Sequence, residues 1–100
     1  MVQGFIVVMF DIPNEDKYKR IYRLLIKSLK QEGYHMIQKS IYYKQIRNIR
    51  LSFMNIKSLK KHLNDNCNVK AIILTQNQFE KIIVVSGEPI AIERDSVKTI

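Results

Sequence analysis

The run Gly4-Phe5-Ile6-Val7-Val8-Met9-Phe10-Asp11-Ile12-Pro13 limits what this chain can become more than any other stretch. Its six apolar residues from Phe5 to Phe10, rich in β-branched and aromatic types, read as a strand buried on both faces. The strand must then stop. Pro13 has no N–H with which to extend a ladder, so the chain turns there, and Asn14 is placed to cap the helical pattern that follows. Asp11 is thereby carried to the end of a core strand, where a carboxylate is held rigidly enough for metal-dependent phosphodiester chemistry. An aspartate before a turn more often serves as a turn or capping residue, so on this segment alone both roles stand.

The next segment, Asn14 to Glu32, has helical period. Stepping about 100° per residue puts Tyr18, Ile21, Tyr22, Leu25 and Leu29 in one apolar sector, with Ile26 at its edge. Lys19, Arg20, Arg23, Lys27 and Lys30 fill the opposite sector, and no acid interrupts them between Asp16 and Glu32. From Lys19 to Lys30 this stripe runs roughly 16 Å, long enough to follow several phosphates of one nucleic-acid strand. Glu15 and Asp16 sit where a helix N-terminus favours negative charge. Gly33 ends the helix, and residues 34–44 have strand composition, as one bent strand or as two broken at Gln38-Lys39-Ser40. His35 has no acid or nucleophile beside it in sequence and receives no role.

Residues 45–52 read as a basic loop carrying Arg47 and Arg50. A second helix is expected over about 51–64, with Phe53, Ile56, Leu59 and Leu63 as its apolar stripe and Lys57, Lys60 and Lys61 elsewhere on it. Asn64-Asp65-Asn66-Cys67-Asn68 is a turn cluster, 69–75 a core strand, 76–80 a turn or one-turn helix, and 81–86 a strand closed by Gly87. The remainder, from Glu88 to Ile100, pairs as an edge or trails free.

One hundred residues make one domain. Lys+Arg 17 against Asp+Glu 9 gives a net charge of +8, which favours a polyanionic partner. No apolar run approaches the ~20 residues of a spanning helix, and Met1-Val2-Gln3 lacks the charge that opens a secretory signal, so a cytoplasmic protein with no membrane partner is expected. A single cysteine, Cys67, cannot close an internal disulfide, and with His35 and His62 alone beside it there is no zinc-type cluster.

Strand, helix, strand pair, helix, strand, strand is the order of an α+β, ferredoxin-like βαββαβ sandwich with an additional C-terminal strand. The expected division is a ferredoxin-like domain over 1–86 and a C-terminal segment over 87–100 at a dimer or partner interface. Strands in surplus over helix cover leave one sheet face bare, which implies a homodimer. A twofold dimer would also set two strand-end aspartates face to face, enough to hold a divalent ion that one alone would not.

The ordered series of Phe5 to Pro13, the basic helix with Tyr22-Arg23, Gly33-Tyr34-His35-Met36-Ile37-Gln38-Lys39-Ser40-Ile41-Tyr42, Thr75-Gln76-Asn77-Gln78-Phe79 and Gly87-Glu88 resembles the CRISPR-associated protein 2 family, above all the variants of single-effector, Cas9-type systems. The resemblance covers nearly the whole chain. It implies a homodimer of ferredoxin-like subunits that acts in spacer acquisition, bridging dimers of the integrase subunit, CRISPR-associated protein 1, along a captured double-stranded DNA. It also implies Mg2+-dependent endonuclease activity on RNA or double-stranded DNA in some members, with Asp11 in the position of the catalytic, metal-binding aspartate. Two departures stand out: residues 64–68 lack the expected Pro and Gly, and the segment after Gly87 is shorter. The nucleic-acid contacts expected here are Lys19, Arg20, Arg23, Lys27, Lys30, Arg47 and Arg50. A toxin-like ribonuclease resembling virulence-associated protein D is the competing reading, since it shares the fold and the strand-end aspartate. A single-stranded RNA binder of the same fold is disfavoured, because no strand carries the Lys/Arg-Gly-aromatic pattern whose rings stack bases.

Overall fold

The computed structural model describes residues 4–90 and the backbone of residues 98–99. The apolar run forms β1, Gly4–Asp11, and occupies the middle of a four-stranded antiparallel sheet. β2 (His35–Gln38), β3 (Ile41–Ile46) and β4 (Asn68–Thr75) complete it in the order β2-β3-β1-β4. With α1 (Lys19–Gln31) and α2 (Ser52–Lys57) as crossovers, this is the expected ferredoxin-like α+β arrangement. β1 is buried on both sides, as its composition requires. Ile6, Val8 and Phe10 pack with Leu25, Leu29, Tyr34, Tyr42, Ile46 and Leu59 under the helices. Phe5 and Val7 pack with Tyr43 and Phe79 on the other face. At the start of the strand the chains run so close that a Cβ on Gly4 would strike the carbonyl oxygen of Leu74.

α1 ends as the sequence demands. Gly33 has φ of 89°, its N–H bonds the Lys30 carbonyl at 3.2 Å, and the Tyr34 N–H reaches back to the Leu29 carbonyl at 2.9 Å. These two bonds make a Schellman closure, with Tyr34 and Leu29 together in the core beneath it. The start of α1 differs from expectation. Asn14 does not cap it: a 3-10 turn over Asp16–Tyr18 comes first, and neither Glu15 nor Tyr18 at the cap positions makes a side-chain cap bond. Asp16 instead pairs with Lys19 at 3.0 Å on the exposed surface.

Residues 34–44 resolve into β2 and β3, separated by a turn at Lys39-Ser40 in which Ser40 takes φ of 69°. β3 runs on to Ile46, whose side chain is buried, so the basic loop begins only at Arg47. The second helix is shorter than its pattern suggested. Only Ser52–Lys57 is α-helical, between 3-10 turns over Ile49–Leu51 and Ser58–His62, and Phe53 is 67% exposed rather than in the core. Asn48 and Ser52 supply the cause, since their side chains bond the Arg50 N–H and the Ile49 carbonyl and hold the first turn in tight 3-10 form.

After β4, the side chains of Thr75 and Gln78 form a reciprocal capping box that starts α3, Gln76–Phe79. Three-residue hydrogen bonds from Lys81 and Ile82 continue this turn, which shortens the expected 81–86 strand to β5, Ile83–Val84. β5 pairs in parallel with β6, Lys98–Thr99, apart from the main sheet. The same turn seats Phe79 face to face with Phe5 at 3.8 Å between ring centroids. The sheet face expected to be bare is thus covered at the Phe5 end, with Ile82 and Ile90 beside it, while Met9 and Ile72 at the other end stay exposed. The segment assigned to a partner interface, 87–100, lies outside the described residues from 91 onward except for the backbone of β6.

Candidate metal and nucleic-acid site

β1 runs toward Asp11 and delivers that carboxylate, exposed, to one end of the sheet, opposite Asn68 of β4. The Phe10 N–H bonds the Ser40 carbonyl at 3.0 Å, which anchors the Lys39-Ser40 turn directly beside Asp11. The third wall is the entry into α1, held down where the Asn66 side-chain amide donates to the Tyr18 hydroxyl at 2.9 Å. Asp11, Asn14, Tyr22 and Ser40 line the resulting cleft of about 490 Å³ together with a second carboxylate, Glu15, and three cations, Lys19, Arg23 and Lys39. Tyr22 is fixed edge-on to Phe10 at 6.0 Å. Burial, and secondarily Tyr22, raises the phenol of the core residue Tyr42 above its ordinary value of 10.0.

The expected basic residues divide into three groups. Lys19 and Arg23 share the cleft with Asp11. Arg23, Lys27 and Lys30 line a shallow groove that continues along α1 past Tyr22 and Ile26. Arg23 belongs to both, so the cleft and the stripe are one surface. Arg20 is exposed but lines neither. Arg47 and Arg50 lie in the loop after Ile46, which pairs with Gly4, at the opposite end of β1 from Asp11. Lys39 and Ser40 received no role from the sequence, although the break at 38–40 held the clue: in an antiparallel hairpin beside β1, that turn must fall at the Asp11 end.

A metal at Asp11 fits in one form and not in another. Among the described residues no three His, Cys, Asp or Glu side chains gather into a cage. Asp11 would supply one oxygen ligand, with the Glu15 carboxylate lining the same cleft, and the neighbouring cations disfavour a bare ion. Mg2+ is commonly held by one or two carboxylates, with waters and substrate phosphate oxygens completing an octahedron, and phosphate would also neutralise Lys19, Arg23 and Lys39. The donor set therefore suits an ion that arrives with phosphate.

The profile of the CRISPR associated protein Cas2 family matches residues 4–82, from the start of β1 through α3. This chain belongs to that family. The Cas2 relatives include proteins named CRISPR-associated endoribonuclease Cas2 from Streptococcus mutans, 32% identical over 83 residues, or 82% of this chain and 78% of the relative. The one from Ligilactobacillus salivarius is 30% identical over 94 residues, 93% of each chain. The one from Campylobacter jejuni is 30% identical over 83 residues, and there the match spans 58% of the relative's length. The Cas2 assignment leaves the toxin-like alternative without support.

Proposed function

We propose that this chain acts in CRISPR adaptation as a homodimeric scaffold that binds duplex DNA without base specificity and bridges dimers of the integrase subunit. The observation that carries the reading is the continuous basic surface from Lys39 and Arg23 beside Asp11 down α1 to Lys30. Cations on a helix exterior at three- and four-residue spacing neutralise backbone phosphates and read no base edges. The names of the relatives add a nuclease to this, with RNA as substrate. In that role Asp11 would hold Mg2+, which when bound would supply charge neutralisation and an activated water, while Lys39, Arg23 and Lys19 would neutralise the substrate's phosphates. The exposed Met9 and Ile72 on the sheet face support a dimer.

The test is a salt titration of duplex binding. Affinity should fall log-linearly with salt, by about 0.9 for each phosphate contacted, and replacing Arg23, Lys27 and Lys30 together by Ala should flatten the slope by roughly 2–3. An unchanged slope moves the DNA to another surface. Asp11→Asn should keep this binding and abolish divalent-ion-dependent cleavage, because an amide is a poor ligand for a hard cation.

A further inference from the structure

The second half of the helical layer carries a cavity that the proposed duplex surface does not use. A groove of about 530 Å³ runs between α2 and β4, with an aliphatic floor of Ile56, Leu59, Leu63 and Val69. It exists because α2 is only six residues long and passes into a thinner 3-10 turn, which leaves β4 poorly covered. Phe53 forms one wall and is 67% exposed, an aromatic side chain left largely in water. Lys57, one helical turn beyond Phe53 on the same side of α2, lines the groove with Lys60 and Lys70. None of these three lysines is in an ion pair among the described residues. Asp65 is the one carboxylate in the lining, so the charge there is three cations against one acid.

We propose that this groove binds an unpaired nucleotide of an RNA strand, stacking the base on Phe53 and setting the neighbouring phosphates against Lys57, Lys60 and Lys70. The combination of surfaces decides the class. A nucleotide joins an apolar plane to an anion, and the groove offers an aromatic wall and an aliphatic floor edged with ammonium groups. Its volume lies within the roughly 300–1,000 Å³ usual for a site that encloses a small ligand. A duplex keeps its base planes stacked inside and presents phosphates, which gain nothing from Ile56, Leu59, Leu63 and Val69. The cationic exterior of α1 therefore suits a duplex, and the groove suits a single strand. Asp65 favours RNA over DNA, since a carboxylate repels phosphate but accepts a hydrogen bond from a ribose 2′-hydroxyl. A second copy of this chain is a poor occupant, because its own groove rim and α1 stripe carry the same positive sign. The groove shares no lining residue with the Asp11 cleft, so it holds RNA without cutting it. The assignment rests on RNA as the ligand proposed above.

The chain has no tryptophan, so a Phe53→Trp variant carries a single indole at the groove. The exposure of Phe53 allows its variants to fold, and melting curves matching wild type verify this. Full-length protein is titrated with oligoadenylate RNA of about 12 nucleotides, in chelator so that the probe stays intact. The indole fluorescence should be quenched as the RNA binds and should not respond to duplex DNA. Phe53→Ala should weaken oligoadenylate binding by roughly 10-fold and leave duplex affinity and the mass by light scattering as in wild type. Lys57→Ala with Lys60→Ala should flatten the salt slope for RNA by roughly 1.4. A silent indole, an unchanged RNA affinity in Phe53→Ala or an unchanged slope each overturns the site. An equal response to duplex overturns the preference for a single strand, and equal affinity for oligodeoxyadenylate overturns RNA as the occupant. Displacement of the RNA by polyglutamate at matched charge marks a protein-docking surface, and a Phe53→Ala protein that falls from dimer to monomer marks a self-contact; either result also overturns the proposal. Wild type that binds no single-stranded RNA at all defeats RNA as a ligand and the groove site with it, whereas RNA binding that leaves the indole unmoved defeats the groove alone.

Discussion

α1 and α2 do the same topological job and are built to different standards. α1 is thirteen residues of regular helix, closed by a Schellman turn, with its apolar side sunk to Leu25 and Leu29 and its outer side cationic. α2 has six α-helical residues, flanked by 3-10 turns, and shows Phe53 and Met54 to solvent, as the turn before it shows Leu51. Both have helical period in the sequence. The difference is that α1 meets its layer's full requirement for burial, so its exterior is free for charge, whereas α2 covers too little of β4 and leaves apolar surface with no cover among the described residues. A complete element suits a polyanion that only touches its outside; an incomplete one suits a partner that finishes it.

The largest test of this contrast is a pair of truncations. Leu29, fully buried, should lose about 2–5 kcal/mol as Leu29→Ala, by lost transfer energy and the cavity left behind. Phe53→Ala, a larger deletion, should change stability by no more than about 0.5 kcal/mol in urea unfolding. Equal costs would mean that Phe53 is packed in solution and that the two helices are alike.

Next in size is a pH effect on the α1 side. The Tyr34 hydroxyl there is buried without a hydrogen-bond partner among the described residues. Burial, with Glu32 adding to it, pushes the Tyr34 phenol up to about 12 from 10.0. Folded Tyr34 therefore holds its proton where the unfolded chain has lost it. The stability this contributes is whole below pH 10 and is lost as pH rises toward 12, a fall of up to about 2–3 kcal/mol. Tyr34→Phe should flatten unfolding curves across that window, leaving a smaller slope from Tyr42 and Tyr43, whose phenols are also raised by burial. At neutral pH it should be neutral or stabilising by up to about 1 kcal/mol, since no bond is lost. A destabilised Tyr34→Phe would reveal a partner for the hydroxyl.

The smallest effect sharpens the site rather than the core. Ser40 holds a left-handed backbone at the turn beside Asp11, which costs a non-glycine residue about 1 kcal/mol. Ser40→Gly should stabilise by about 0.5–1 kcal/mol in thermal unfolding and weaken whatever phosphate hold the cleft has, because the hydroxyl leaves with the strain. A gain in stability with unchanged affinity would show that the turn's shape, not the hydroxyl, is what the cleft requires.

Much of this was legible in the residues. β1, the helical period of α1, its Gly33 stop and the strand character of β4 all follow from local composition, because each is a pattern that one element satisfies alone. The Asp11 placement followed too, since Pro13 fixes where the strand ends. What escaped notice depends on elements meeting across the sequence. Lys39 and Ser40 reach Asp11 through the β1–β3 register, Phe79 covers the second sheet face because a capping box bends the chain after β4, and Phe53 is exposed because two short polar side chains tighten the turn before it. Periodicity told which residues of 51–64 lie on one side of a helix, but not how much sheet lay beneath to receive them.

Because β1 is apolar on both faces, its pattern does not say which way its side chains point. A slip of one residue would exchange Ile6, Val8 and Phe10 for Phe5, Val7 and Met9 and still bury hydrocarbon above and below. What forbids the slip stands at the strand's two ends. At one, a side chain in place of Gly4 would collide with the Leu74 carbonyl; at the other, the slip would turn the Asp11 carboxylate from open water toward the floor of the helical layer. Homologues can thus redraw the middle of this strand freely among apolar residues, yet a single-residue insertion or deletion within it is the change the domain has no means to absorb. The carboxylate that serves the cleft also keeps the strand's phase.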